Sequence, residues 1–111
     1  MYKRQWYYSS TSPEKADAAA AMLGDMPLSI FTEPTRYGGV GWAQYGIPVH
    51  YIGCKKDATI PLFMQEDFVE RMRKAGVEVT ATWLDSDHSP FLEAPGRIAE
   101  LILGADRKTG Q

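Results

Sequence analysis

Apolar and polar residues follow a regular pattern in the second half of the chain and a broken one in the first. The run Ile47-Pro48-Val49-His50-Tyr51-Ile52-Gly53-Cys54 is rich in β-branched and aromatic residues and ends in the charged turn Lys55-Lys56-Asp57, which predicts a strand over 47–54. Pro48 suits the first residue of that strand, where a missing N–H costs a sheet least. Pro61 fits the opening position of a helix, and Met64, Phe68, Met72 and Ala75 then recur at helical spacing and predict its inward stripe. Asp67–Arg71 and Glu70–Lys74 are acid-first pairs four residues apart on the outer face, and Gly76 predicts a left-handed stop. A second strand is predicted over Val77 to Leu84, with Val77, Val79, Ala81 and Trp83 on one face. Asp85-Ser86-Asp87-His88-Ser89-Pro90 reads as a polar loop. Ala94 to Leu103 reads as an amphipathic helix with Ile98, Leu101 and Ile102 inward, before a polar tail at 105–111.

Upstream, Ser12-Pro13-Glu14 is a helix-start signal. Ser12 is expected to cap the free N–H groups, Pro13 to take the first helical position, and Glu14 to face the positive end of the dipole. The Ala-rich stretch favours a helix over 13–23, with Gly24 as its left-handed stop. Asp25-Met26-Pro27, Glu33-Pro34-Thr35 and the glycines at 38, 39 and 41 interrupt any longer pattern, leaving a connecting region with one short helix around 35–45. Strand, helix, strand, helix implies two parallel strands joined by a helical crossover. Such a pair does not stand alone, because parallel sheets are covered on both faces and contain several strands. The first half supplies no further strand, so the chain reads as part of a fold. The strand at 47–54 is apolar on both faces, and its unpaired edge predicts self-association.

Composition narrows the class. The 111 residues are 44% hydrophobic and 23% charged, near the globular average, which excludes disordered, collagen-like and coiled-coil chains. Twelve basic against fourteen acidic residues give a net charge of −2, which argues against nucleic acid and anionic membranes as partners. Cys54 is the single cysteine, so neither an intrachain disulfide nor a cysteine zinc cluster forms. No run approaches the ~20 apolar residues of a membrane span. The start, Met-Tyr-Lys-Arg-Gln-Trp-Tyr-Tyr, lacks the apolar core of a signal peptide, and a cytoplasmic location is expected.

The candidate chemistry lies after the two strands. In open parallel sheets, reactive groups collect beyond the carboxyl ends of the strands. Asp57 follows the first predicted strand and His88 the second, and paired strands stand about 4.8 Å apart, so the two loops can bring a carboxylate to an imidazole. A carboxylate on Nδ1 fixes the tautomer and leaves Nε2 as a base. Each residue also has an ordinary reading, Asp57 as a turn former and His88 as a surface histidine. His50, mid-strand, is read as structural, and Cys54 as a small buried hydrophobe rather than a nucleophile. Asp85, Asp87 and His88 lack the spacing of a metal site, so no metal is expected. Trp42, Trp83 and Phe91 are read as packing residues, with Phe91 placed to border a pocket.

The motifs themselves resemble a family. Tyr51-Ile52-Gly53-Cys54-Lys55-Lys56-Asp57-Ala58-Thr59-Ile60-Pro61 resembles the segment around the catalytic acid of α/β-hydrolase-fold enzymes. Leu84-Asp85-Ser86-Asp87-His88-Ser89-Pro90-Phe91-Leu92 with Pro95 resembles their catalytic-histidine loop and closing helix. Tyr7-Tyr8 and Ser12-Pro13-Glu14 are similar to the cap region of the plant methylesterase and hydroxynitrile-lyase branch and its microbial relatives. The similarity runs over most of residues 7–103. It implies an α/β fold in which 1–46 is a partial helical cap and 47–104 the C-terminal strand–helix–strand–helix portion of the core. It also implies Asp57 as triad acid and His88 as triad base, with a small carboxylic ester as substrate, or a cyanohydrin, which the same triad cleaves. The resemblance implies no organic cofactor. The Gly-x-Ser-x-Gly nucleophile elbow of that family is absent. Serines stand at 9, 10, 12, 29, 86 and 89, none with glycines two positions to either side. The alternative expectation is a non-enzymatic α/β domain that acts as a binding or regulatory module.

Overall fold

The computed structural model describes residues 2–34 and 39–109. Its sheet has two strands, β1 (Val49–Cys54) and β2 (Val79–Leu84), joined through α4 (Leu62–Lys74). They pair in parallel in the register Val49↔Val79 to Cys54↔Leu84, as a helical crossover requires. Upstream lie α1 (Tyr2–Tyr7), α2 (Pro13–Ala21), α3 (Ser29–Thr32) and a 3-10 segment at Gly39–Tyr45; downstream lie α5 (Pro90–Glu93) and α6 (Pro95–Thr109). The fold is therefore mixed α/β, two parallel strands flanked by helices, as the sequence implies. Residues 35–38 of the short helix expected over 35–45, the Trp42 side chain and residues 110–111 lie outside the described residues.

The core is thin. The apolar residues Tyr8, Ala16, Cys54, Val69 and Val77 are buried, whereas Val49 to Ile52 of β1 are only half-buried. The radius of gyration is 15.8 Å, against about 13 Å for a compact domain of this length. Within β1 and β2 the closest packing is around Gly53. A side chain there would enter the indole of Trp83, its partner in the register, and the same indole lies 5.9 Å from the Tyr51 ring. Glycine is required at this position because the tryptophan ring occupies the space of a Cβ.

Helix α4 turns a different face inward from the one expected. Gln65 and Val69 are buried and Met72 half-buried, while Met64, Phe68 and Ala75 lie on the exposed side. The apolar stripe does not fix the rotation of the helix: Gln65 faces inward with three hydrogen bonds around the end of β1, while Phe63, Met64 and Phe68 stay exposed. The C-terminus of α4 forms a Schellman motif. The Val77 amide donates to the Met72 carbonyl and the Gly76 amide to the Arg73 carbonyl, both at 3.0 Å, with Gly76 at φ 90°. Val77 is thus buried as part of the helix stop, and the second strand begins at Val79 rather than Val77.

Further expectations are corrected. Helix α2 has Pro13 in its first turn, but the Ser12 hydroxyl makes no capping bond, and Gly24 has no positive φ, the helix ending at Met22 in right-handed geometry. Ile102 and Phe91 are exposed, whereas Ile98 and Leu101 are half-buried. Helix α6 continues to Thr109, through residues expected to form a tail.

Candidate functional site

Just beyond the strands, backbone bonds hold the two following loops together. The Lys55 amide donates to the Leu84 carbonyl at 2.8 Å and the Lys56 amide to the Ser86 carbonyl at 2.9 Å. The pairing therefore outlasts the strands by two residues, which brings Asp57 level with the loop that carries His88. The Asp57 side chain is 6% exposed and that of His88 33%. His88 Nδ1 lies 2.8 Å from Asp57 Oδ2. The other carboxylate oxygen accepts from the amides of Thr59 (2.8 Å) and Ile60 (2.9 Å). Asp57 is thus a turn former and an imidazole partner at once, one oxygen serving each purpose. With Nδ1 engaged, Nε2 is the ring nitrogen left for other chemistry.

Three polar clusters not read from the sequence position this pair. Gln65, 3% exposed, fixes both ends of the 54–60 loop. Its Oε1 accepts from the Cys54 amide, and its Nε2 donates to the carbonyls of Cys54 and Ile60, each at 2.8 Å. The side-chain amide meets Cys54 as a neighbouring strand's peptide would, with one donor and one acceptor. Asp87, 2% exposed, binds the N-terminal segment. Its Oδ2 accepts from the Ser10 amide (3.0 Å) and the Thr11 hydroxyl (2.8 Å), and its Oδ1 from the Ser89 amide (2.9 Å). Burial raises the Asp87 pKa, but the Ser89, Thr11 and Ser10 hydrogen bonds outweigh it and hold the carboxyl below its ordinary value. Glu93 accepts from the Ser12 amide at 2.8 Å and pairs with Lys15 at 3.7 Å. That amide bond first, then the Lys15 charge, lower its pKa despite opposing desolvation.

These bonds lay α1 across the loops. The Tyr7 ring stands 5.2 Å from the His88 ring, tilted by 44°. A cleft of about 900 Å³ opens beside His88 and Ser89, walled by Trp6, Tyr7, Tyr8, Leu23, Met26 and Phe31, with Asp25 also on its lining. Apolar walls with one imidazole suit a substrate that is largely apolar.

The other candidates fall outside this arrangement. Cys54 is buried, and burial chiefly, with the nearby negative charges of Asp57 and Asp87, pushes its thiol pKa up against a lowering hydrogen bond with Ser86. A raised thiol is a poor nucleophile. His50 Nε2 lies 2.8 Å from the Thr82 hydroxyl within the sheet. Asp85 pairs with Lys56 at 3.4 Å, and among the described residues no three His, Cys, Asp or Glu side chains converge as metal ligands. Among the same residues no helix is long and apolar enough to cross a membrane.

A buried carboxylate, an imidazole held by it and an apolar cleft make a site suited to general acid–base chemistry. No protein-family model matches the chain. In sequence it is similar to a hydrolase: over 73 residues, 65% of its length, it is 33% identical to the "Probable hydrolase R7" of Phoma sp.. The matched stretch spans 28% of that protein.

Proposed function

We propose that this chain carries the acid–base half of a carboxylic-ester hydrolase site of the α/β-hydrolase kind. In this reading His88 takes the proton from an attacking serine through Nε2 and returns it to the leaving alcohol. Asp57 holds the tautomer and stabilises the imidazolium. The observation that carries the reading is the 2.8 Å contact of His88 Nδ1 with a carboxylate whose other oxygen is already fixed by two amides. The serine is not assigned to any of these 111 residues, since none of the six serines has the elbow's glycines. The apolar cleft favours esters with an apolar acyl or alcohol group.

A chimera that joins the part of this chain carrying Asp57 and His88 to the remainder of the Phoma protein tests the assignment. Short-chain p-nitrophenyl esters and a fluorophosphonate probe are the readouts. His88→Ala is expected to lower turnover at least about a thousandfold, and Asp57→Asn by a smaller but still large factor. Turnover and labelling indifferent to His88→Ala would overturn the reading. The chain by itself is expected to show no fluorophosphonate-labelled serine. A second reading, a non-catalytic binding module, draws on the exposed Met22, Leu28 and Phe31 and on the two-stranded sheet, and it predicts no dependence on His88 in the same chimera.

A further inference from the structure

Helix α1 has six residues, too few to hold itself in water, and the turn after it is closed by a single bond, from the Thr11 amide to the Tyr8 carbonyl. Residues 6–12 nevertheless meet the loops, with Tyr8 and Thr11 buried and Trp6, Ser9, Ser10 and Ser12 exposed. They are stapled from both sides of the Asp57–His88 pair. From the Asp57 loop, the Thr59 hydroxyl donates to the Trp6 carbonyl at 2.7 Å. From the His88 loop, Asp87 receives the Ser10 amide and the Thr11 hydroxyl. Tyr7 sits between the two staples, and its ring meets the imidazole.

We propose that Tyr7 is a positioning residue that braces the His88 ring, and that Thr59 and Asp87, neighbours of the site pair, hold the strap that carries it. The functional importance of the brace rests on the reading of His88 as the base; its existence as a brace does not. One hydrogen bond at Nδ1 leaves the imidazole free to swing about that contact. A second surface at 5.2 Å removes that freedom and holds the ring beside the cleft, which His88 and Tyr7 both line. The contact is between the two rings, so a phenyl ring at position 7 would supply it as well. The Asp87 staple is the stronger of the two, since its acceptor is a buried carboxylate and its bonds are charge-assisted.

The test uses the whole 111-residue chain and needs no ester turnover. Solvent exchange of the His88 Nδ1 proton, followed by NMR on histidine labelled with 15N, reports how firmly the ring is held. Tyr7→Ala is expected to speed that exchange about tenfold, an opening made easier by about 1.4 kcal/mol, and Tyr7→Phe to leave it within about twofold of the parent. Thr11→Val removes one staple bond and is expected to act in the same direction by a smaller factor. In the double variant Tyr7→Ala/Thr11→Val the effect of Thr11→Val should vanish, because the staple acts only through the ring. An unchanged exchange rate in Tyr7→Ala, or a Thr11→Val effect that persists in full without the Tyr7 ring, would overturn the proposal. If the brace is found while the chimera ignores His88→Ala, the ester-hydrolase reading fails and the brace stands.

Discussion

Gln65 is the residue on which the placement of Asp57 depends, and its replacement has a calculable cost. Gln65→Ala removes three hydrogen bonds of 2.8 Å, and with them the partners of the Cys54 amide and of the Cys54 and Ile60 carbonyls. Each such bond contributes about 1 kcal/mol net when water can replace the lost partner, and about 1–3 kcal/mol when the orphaned group stays dry. The Cys54 groups are buried, so a total near 3 kcal/mol is expected, a large share of the about 5–15 kcal/mol that stabilises a typical domain. The melting temperature should fall by about 10–15 °C. Gln65→Met keeps most of the volume and loses every bond, so it should be nearly as damaging as Gln65→Ala. Urea unfolding followed by tryptophan fluorescence gives both values, and the His88 Nδ1 proton should exchange faster in each variant as Asp57 loosens. If Gln65→Met unfolds at the parent midpoint, the side chain contributes by packing alone, and the account of the loop anchored through its amide is wrong.

Three other outcomes follow from separate parts of the molecule. Gly53→Ala places a methyl group in the Trp83 indole and should destabilise by about 1–3 kcal/mol, with partial recovery in Gly53→Ala/Trp83→Leu; an unchanged urea midpoint in Gly53→Ala would refute the close packing. Because hydrogen bonding lowers the Asp87 pKa in the folded state, its contribution to stability is full above about pH 4, where the unfolded chain is also ionised, and is lost as pH falls through the lower folded value. Asp87→Asn should flatten the acid limb of the stability curve, and equal acid slopes in variant and parent would contradict that. The open sheet edges and the exposed Met22, Leu28, Phe31 and Phe63 predict concentration-dependent association; sedimentation velocity giving one 12.4 kDa species at every concentration would dismiss it.

The parts of the fold visible in the sequence are those in which a local signal and its tertiary role coincide. Gly76 stops α4 because a left-handed residue is needed there, and the two β-rich runs pair because a helical crossover leaves little else. The proximity of Asp57 and His88 was legible for the same reason, each at a fixed offset from a strand that the register makes adjacent. Gln65 was hidden because a polar residue among apolar ones reads as an outer position, whereas its amide here completes the edge of β1. Asp87 was hidden because its partners, Ser10 and Thr11, lie more than 70 residues away, and nothing in the Asp-Ser-Asp-His run distinguishes the aspartate that faces inward from the one that pairs with Lys56. Gly24 and the Ser12 hydroxyl misled in the opposite sense. Their local propensities were sound, but the Ser12 amide is bound by Glu93, which settles the start of α2 without the hydroxyl.

The same contrast separates the two ways in which the site is held. Asp57 and His88 are set by backbone pairing that begins at Val49↔Val79 and runs on to Lys56 and Ser86, so displacing one loop against the other means breaking the sheet. Side-chain bonds tie the segment around Tyr7 to the loops: a hydroxyl from Thr59, a carboxylate from Asp87 and, a little further on, a carboxylate from Glu93. Bonds of that kind open singly and at modest cost, whereas a ladder opens cooperatively. The loops that carry Asp57 and His88 therefore stay paired when the strap opens, and the His88 ring then keeps its carboxylate contact but loses its brace.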